Sequence, residues 1–420
     1  MRILIAGAGI GGLTTALSLH AAGFTDIRLV EATGTSAPSG LGLNVLPDAV
    51  RELSELGLLE RLAGKAVRTA ELRLFNRHGR LIWTEPRGVA AGYRWPQLSV
   101  SRRRLWQVLT DAVHNRLGPE TVAFGTRVVG CVPEQGAPAE VTLQEGRERR
   151  TALADLVIGA DGVHSAIRAA LHPGEGPPPG NGVMMWRGTT WAPPFLSGRT
   201  MAVVGDDVRR IVLYPIAEDP VQDRVLVNWV AAHPSASAGR ADWHERAPLA
   251  AVLSEFDDWA VDWIDLAAIF RNAPAIYRYP MVDRDPLPWW SAGNVTLLGD
   301  AAHAMYPMGS NGATQSILDA RTLAQALAIT GDPVKALADY ERRRLPAMTR
   351  LQESNRGWGP EAIITMVHQR APDGFTDLDD VVSPAELTEV ATRYASVSGA
   401  QVHQVNHRPS LSTGDRTAAP

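Results

Sequence analysis

The chain has 420 residues, of which 45% are hydrophobic, and a formal net charge of -4. That length bounds it to two or three structural units with a sizeable core, and a mild charge without long runs of one sign speaks against nucleic acid or an anionic membrane surface as partner. Cys131 is the only cysteine, which excludes an internal disulfide and a thiolate metal cluster and suits a reducing cytoplasm.

Residues 3–6 are wholly apolar and run straight into glycines, so they read as a buried strand and not as a signal peptide. Residues 11–22 recur at helical spacing, and Gly23 fits the position just past a helix end. A second strand is predicted over 27–30, with Glu31 at its carboxyl end, and a helix over 47–62. Two short strand patterns flank a turn at His78-Gly79 and predict a hairpin within 70–98. A helix follows over 101–117, then strands near 141–143 and 154–158, then a proline- and glycine-rich loop over 173–179. Four antiparallel strands are predicted over 183–188, 200–204, 210–214 and 224–230, followed by a helical stretch over 243–270. The buried-strand type returns at 295–298, with helices over 312–329 and 333–355. Ser383-Pro384-Ala385-Glu386 matches a capping box with proline at the first helical position, and the last ten residues read as a disordered tail. No apolar stretch is long enough to span a bilayer.

Three glycine-bearing segments carry the chemistry. In the first, Gly7 permits a tight turn out of the strand, Gly9 lets backbone approach a pyrophosphate, and Gly12, next to Gly11, lets the helix pack closely on the sheet. The free N–H groups and dipole of that helix start favour a phosphate. Glu31 follows at about the 20-residue spacing expected of a carboxylate on a ribose hydroxyl. This segment alone does not choose between NAD and FAD. The second segment ends in Asp161-Gly162, a carboxylate turn after an apolar run. The third begins Gly299-Asp300, where a carboxylate at a strand end suits polyol hydroxyls such as a ribityl chain. It runs on to Pro307-Met308-Gly309-Ser310-Asn311-Gly312, a helix start whose N–H groups suit an electron-rich ring edge. His303 lacks the partners of a metal site and reads as structural, and Ser165 lacks a nucleophile-elbow context.

Together the three segments resemble those of the class A flavin monooxygenases, the p-hydroxybenzoate hydroxylase type. That resemblance covers roughly residues 1–355 and fades toward the C-terminus. It implies FAD as cofactor, with NAD(P)H and O2 as co-substrates and a small aromatic substrate. It places Asp161 near the pyrophosphate and NAD(P)H, Asp300 on the ribityl chain, Arg102 near the cofactor phosphates, Val128 near the adenine, and Gly42-Leu43 at the flavin ring. Asn311 departs from the family, where many members carry glutamine. Further segments, among them Glu85-Pro-Arg-Gly88 and Met185-Trp-Arg-Gly188, are similar to the branch of that family acting on phenazine carboxylates. That branch implies hydroxylation through a flavin hydroperoxide, with loss of CO2 where the attacked carbon bears a carboxylate.

The substrate-lining candidates are Trp186, Arg187, Tyr214, Trp229, Pro307 and Met308. Aromatic walls suit a planar ring and an arginine suits a carboxylate, though Trp186 and Trp229 serve equally as sheet core, and Arg187 as a structural ion pair. The expected fold is α/β: a doubly wound FAD domain with a parallel sheet (1–69, 99–181, 286–355), an antiparallel-sheet substrate domain (70–98, 182–285), and a C-terminal helical region (356–420). Rival readings are a flavin-dependent epoxidase, Baeyer–Villiger oxygenase or reductase on a non-aromatic substrate, and a non-catalytic flavin sensor. A homodimer stays open at this stage.

Overall fold

The computed structural model describes residues 1–34, 40–235 and 245–412. A six-stranded sheet forms around strand Ile3–Ala6, which pairs in parallel with Ile27–Glu31 on one side and Leu156–Gly159 on the other. Leu156–Gly159 pairs in parallel in turn with Val295–Leu297. Ile3–Ala6 and Leu156–Gly159 carry no polar side chain and are buried at every position, because helices cover both faces. Helix Ile10–Ala21 packs on helix Asn311–Thr330 over one face. The crossover connections are long, as parallel pairing demands.

A seven-stranded sheet forms the second layer. Its strand order is Tyr277–Val282, Gly180–Ala192, Arg224–Pro234, Arg210–Asp219, Thr200–Gly205, Glu71–Asn76 and Leu81–Pro86. The predicted hairpin joins this sheet because Glu71–Asn76 pairs in parallel with Thr200–Gly205, the one parallel pairing among otherwise antiparallel neighbours there. Helices Leu249–Glu255 and Leu266–Arg271 cover one face. The other face meets strand Gly42–Val45, the 306–312 loop and the C-terminal helices. The α/β architecture is therefore a parallel sheet, an antiparallel layer and a helical C-terminal region, as expected.

Three local differences have plain causes. The helix predicted over 47–62 is two helices, Pro47–Glu55 and Leu59–Ala63, because Gly57 turns left-handed (φ +69°) between them. The helical stretch over 243–270 is broken into two short helices, with residues 243 and 244 outside the described residues. Strands Thr126–Val132 and Glu148–Ala154 were not expected, the first because Gly130 and adjacent valines blur its alternation and the second because its first half is polar; they join Ala139–Glu145 in a small sheet. The Ser383 capping box is present, and the tail beyond residue 412 lies outside the described residues.

Candidate active site

The three glycine segments meet at the carboxyl ends of adjacent parallel strands. Ala6 sits opposite Gly159, and Gly159 opposite Leu297. Contact is close enough to require glycine. A side chain on Gly7, which is left-handed at φ +100°, would run into the Ala160 carbonyl, and one on Gly12 into the Gly7 carbonyl. A Cβ on Gly11 would come to 2.8 Å from Leu298 Cδ2. Gly9 is different: nothing lies within 4 Å of where its Cβ would be. Gly9 is also the N-cap of helix Ile10–Ala21, with no side-chain cap and no acid in the first turn. Open space in front of uncapped helical N–H groups is what a pyrophosphate requires.

The carboxylates around this junction divide by what they touch. Glu31 accepts from Ala8 N at 2.8 Å and from Thr33 N and Oγ1, both at 2.9 Å, so it ties the glycine loop to the second strand end. Asp161 is committed inward: it accepts from Ser165 Oγ and from Ala166 N at 2.7 Å, capping helix Ala166–Leu171. Burial raises its pKa, opposed by those hydrogen bonds. Asp300 is exposed at the first position of helix Asp300–His303, beside Gly312. Val128 is buried in the small sheet, packed on the strand of Glu31.

Sequence reading missed the scaffold behind Asp300. His303 Nε2 and Asp319 Oδ2 are 2.6 Å apart, Gly299 N donates to the same oxygen at 3.1 Å, and Arg344 Nε donates to Asp319 Oδ1 at 2.7 Å. Burial pushes the Asp319 carboxyl up, but His303 and Arg344 outweigh it and hold it at about 2. His303 is thus structural. Arg168 binds the second segment to the third: it is paired with Glu175 at 2.6 Å and donates to the Ala301 and Ala302 carbonyls at 3.2 and 2.9 Å. Trp106 Nε1 donates to Ala8 O at 2.8 Å and fixes the glycine loop from the other side.

The antiparallel layer approaches this junction through Gly42. Gly42 N donates to Asn228 Oδ1 at 2.6 Å, and Gly42 O accepts from Arg187 at 3.3 Å. A Cβ on Gly42 would sit 2.7 Å from Asn228 Cβ. Leu43 is partly buried against the core, and Arg102, exposed at the head of helix Arg102–Leu117, donates its N–H to Leu41 O at 2.8 Å. Arg187 lies under the Tyr279 ring, 5.7 Å from its centroid, and close to Tyr214. Burial lowers the Arg187 pKa, while it pushes that of Tyr214 up to about 12, so the phenol stays neutral. No carboxylate among the described residues pairs with Arg187. Its Nε and Asn228 Nδ2 are buried donors without protein partners.

Met308 completes this wall, packed with Val183, Met185, Ala232 and Met281, whereas Pro307 beside it is exposed. Gly309 and Ser310 are both left-handed at φ +61°, so helix Asn311–Thr330 begins abruptly at Asn311, with Gly312 in open space beside Asp300. Of the two roles open to Trp186 and Trp229, both take the one in the sheet core. Side chains alternate across a strand, so these two point to the opposite face from Arg187. They pack there with Phe256 and Phe270, and Trp229 donates to Thr190 at 3.1 Å.

A dinucleotide-type glycine loop, a second carboxylate turn and an exposed aspartate at the ends of adjacent parallel strands, beneath an antiparallel layer, fit a flavoprotein. The chain belongs to the FAD binding domain family, which matches residues 1–355. It is 43% identical over 361 residues to the phenazine 1,6-dicarboxylic acid hydroxylase PhzS of Lysobacter antibioticus, covering 84% of this chain and 89% of that protein. It is 31% identical over 377 residues to a salicylate hydroxylase of Pseudomonas putida, covering 84% of each. The fold is that of Klebsiella pneumoniae HpxO, solved with FAD and uric acid: TM-score 0.74, 23% identity, 96% of each chain covered. This is an FAD-dependent aromatic hydroxylase. No helix among the described residues is long and apolar enough to cross a membrane.

Proposed function

We propose that the substrate is an aromatic or heteroaromatic carboxylate of phenazine-like size, with its carboxylate on Arg187. The observation that carries this reading is a partly buried guanidinium with no acidic partner among the described residues and a buried, unpartnered Nε, set beside the Gly42 loop and near Tyr214 and Tyr279. An unpaired buried cation is costly, and an incoming carboxylate repays that cost through charge-assisted hydrogen bonds. The apolar surface of Met185, Met281 and Met308 suits a planar ring. The relatives named for phenazine dicarboxylate and salicylate agree in acting on ring carboxylates.

The residues present fit FAD. The Gly7–Gly12 turn and the uncapped helix after it would hold the pyrophosphate, with Arg102 near the phosphates, Asp161 capping the adjoining helix and Val128 toward the adenine. Glu31 would meet the ribose and Asp300 the ribityl hydroxyls. Gly42 and Leu43 would lie along the ring, with the N–H groups of Gly309, Asn311 and Gly312 at its edge. When bound and reduced by NAD(P)H, FAD supplies the activated oxygen. The protein's share is to hold the ring carboxylate on Arg187, keep water out with the methionine wall, and present backbone N–H groups to developing negative charge. Loss of CO2 accompanies hydroxylation where the target carbon bears the carboxylate. A cytoplasmic location and a homodimer complete the reading; sedimentation of the purified protein tests the second.

The test is a screen of aromatic carboxylates, phenazines included, against their decarboxylated counterparts, scored by substrate-stimulated NAD(P)H oxidation and product mass. Carboxylates are expected to stimulate turnover and the counterparts not. Equal response to both, or to neither, would remove the assignment of Arg187.

A further inference from the structure

The loop at the proposed flavin edge is held by a residue far outside the segment matched by the family. Tyr394 lies on helix Pro384–Ser398, beyond residue 355. Its hydroxyl accepts from Asn311 Nδ2 at 2.7 Å. The single phenolic proton then goes to Asn355 Oδ1 at 3.0 Å or to Met308 O at 3.3 Å. Asn355 Nδ2 donates in turn to Tyr306 O at 3.2 Å. The two side chains therefore bracket residues 306–311 from both ends.

The packing is as specific as the hydrogen bonding. A side chain on Gly309 would occupy the place of the Tyr394 hydroxyl. On the other side, a Cβ on Gly359 would come to 2.9 Å from Tyr394 Cε2. The ring is wedged between two left-handed glycines, at φ +61° and φ +51°. Ser310 adjoins the first and is itself left-handed (φ +61°), a conformation unfavourable for a non-glycine residue. A strained turn persists only where its surroundings over-determine it. Tyr394 supplies that constraint, at the turn where Met308 meets the substrate wall and Asn311 opens helix Asn311–Thr330.

We infer that Tyr394 is a positioning residue for the cofactor, setting the Pro307–Gly312 loop through Asn311 and thereby making the C-terminal helix part of the active site. This rests on the flavin reading above. The shorter amide at Asn311 fits the same role, since it reaches the phenol while its Oδ1 accepts from Gln315 at 3.2 Å.

The test compares full-length wild type with Tyr394→Phe and with Leu387→Val. Leu387 is a buried residue of the same helix, packed in a separate apolar cluster, so its truncation controls for loss of helix stability. Apoprotein is titrated with FAD by fluorescence, and reconstituted enzyme is assayed for H2O2 released per NAD(P)H consumed. Tyr394→Phe is expected to weaken FAD binding roughly 2- to 12-fold, the worth of one neutral hydrogen bond, and to raise H2O2 release. Leu387→Val is expected to lower the melting temperature with FAD binding unchanged. FAD affinity and coupling in Tyr394→Phe equal to wild type would overturn the inference, as would equal weakening in Leu387→Val. Wild-type protein that takes up no FAD would bring down the flavin reading itself, and this inference with it.

Discussion

Arg187 combines two properties that rarely coincide. It is partly buried, with its Nε out of reach of solvent, and among the described residues no carboxylate neutralises it. Its guanidinium donates to a backbone carbonyl, that of Gly42, at 3.3 Å. A charge-assisted hydrogen bond contributes about 1.5–3 kcal/mol, so Arg187→Ala should raise the KM for the aromatic carboxylate roughly 10- to 150-fold, with a smaller change in kcat. Steady-state kinetics separate the two. Arg187→Lys should recover only part of the loss, because an ammonium does not present a planar fork. Asp319 is the contrasting case, a buried carboxylate whose partners, His303 and Arg344, are part of the scaffold. Its pKa falls from 3.8 to about 2 on folding. A depressed folded pKa gives stability that is present above the unfolded value and is lost as pH falls through the folded one. Asp319→Asn should therefore be less stable than wild type at neutral pH by about 2 kcal/mol, and the gap should close between about pH 4 and pH 2. Denaturant titrations at successive pH values would show it; a gap independent of pH would count against the ion-pair account.

At the scale of elements, the glycine loop works because two backbone segments touch where side chains would stand. Helix Ile10–Ala21 starts so close to the strand end that Gly12 faces the Gly7 carbonyl with no room for a Cβ. Gly12→Ala forces the helix off the sheet, at a cost of about 1–3 kcal/mol, and moves the uncapped N–H groups proposed to hold the pyrophosphate. Thermal unfolding should show the destabilisation, and the purified variant should retain little flavin by absorbance. The pattern of strand, turn, helix and acid that marks this unit was fully legible in the sequence, since each glycine answers a local requirement. Strand alternation was legible too, yet it was not applied to Trp186 and Trp229. Counting by twos from Arg187 already puts Trp186 on the other face. The odd-numbered strand residues Trp229 and Ala231 then share the core with Phe270, while Asn228 and Val230 face the site.

At the scale of the whole molecule, the chain returns from its C-terminus to brace the start of the FAD domain. Glu52, buried on helix Pro47–Glu55, accepts from Arg321 at 3.0 Å and from Arg408 at 2.6 Å. Ser410 and Ser412 reach Glu55 at 2.8 and 3.0 Å, and Arg51 donates to Val405 O at 3.0 Å. Three distant stretches thus share one buried carboxylate. Glu52→Gln leaves Arg408 without its counter-charge and Arg321 with Glu55 alone, at 3.1 Å, and should cost about 3 kcal/mol, read as a fall in thermal midpoint. Arg408→Ala should cost less, because Arg321 stays paired.

Residue order alone determined that this is an FAD-binding α/β protein with an antiparallel second layer, because tight turns, buried strands and helix starts are each set by a few neighbouring residues. The same reading placed Asp300 at a strand end and Arg187 among the substrate candidates. Only the tertiary structure decided which side of a sheet met the cofactor junction, which arginine was left without a carboxylate, and what the last helix did. Those are contacts between positions 83 to 356 residues apart, Gly42 with Arg187, Glu52 with Arg408, and Asn311 with Tyr394. No local pattern encodes such pairings; they arise when separately formed elements bury their apolar faces together and their remaining polar groups find partners.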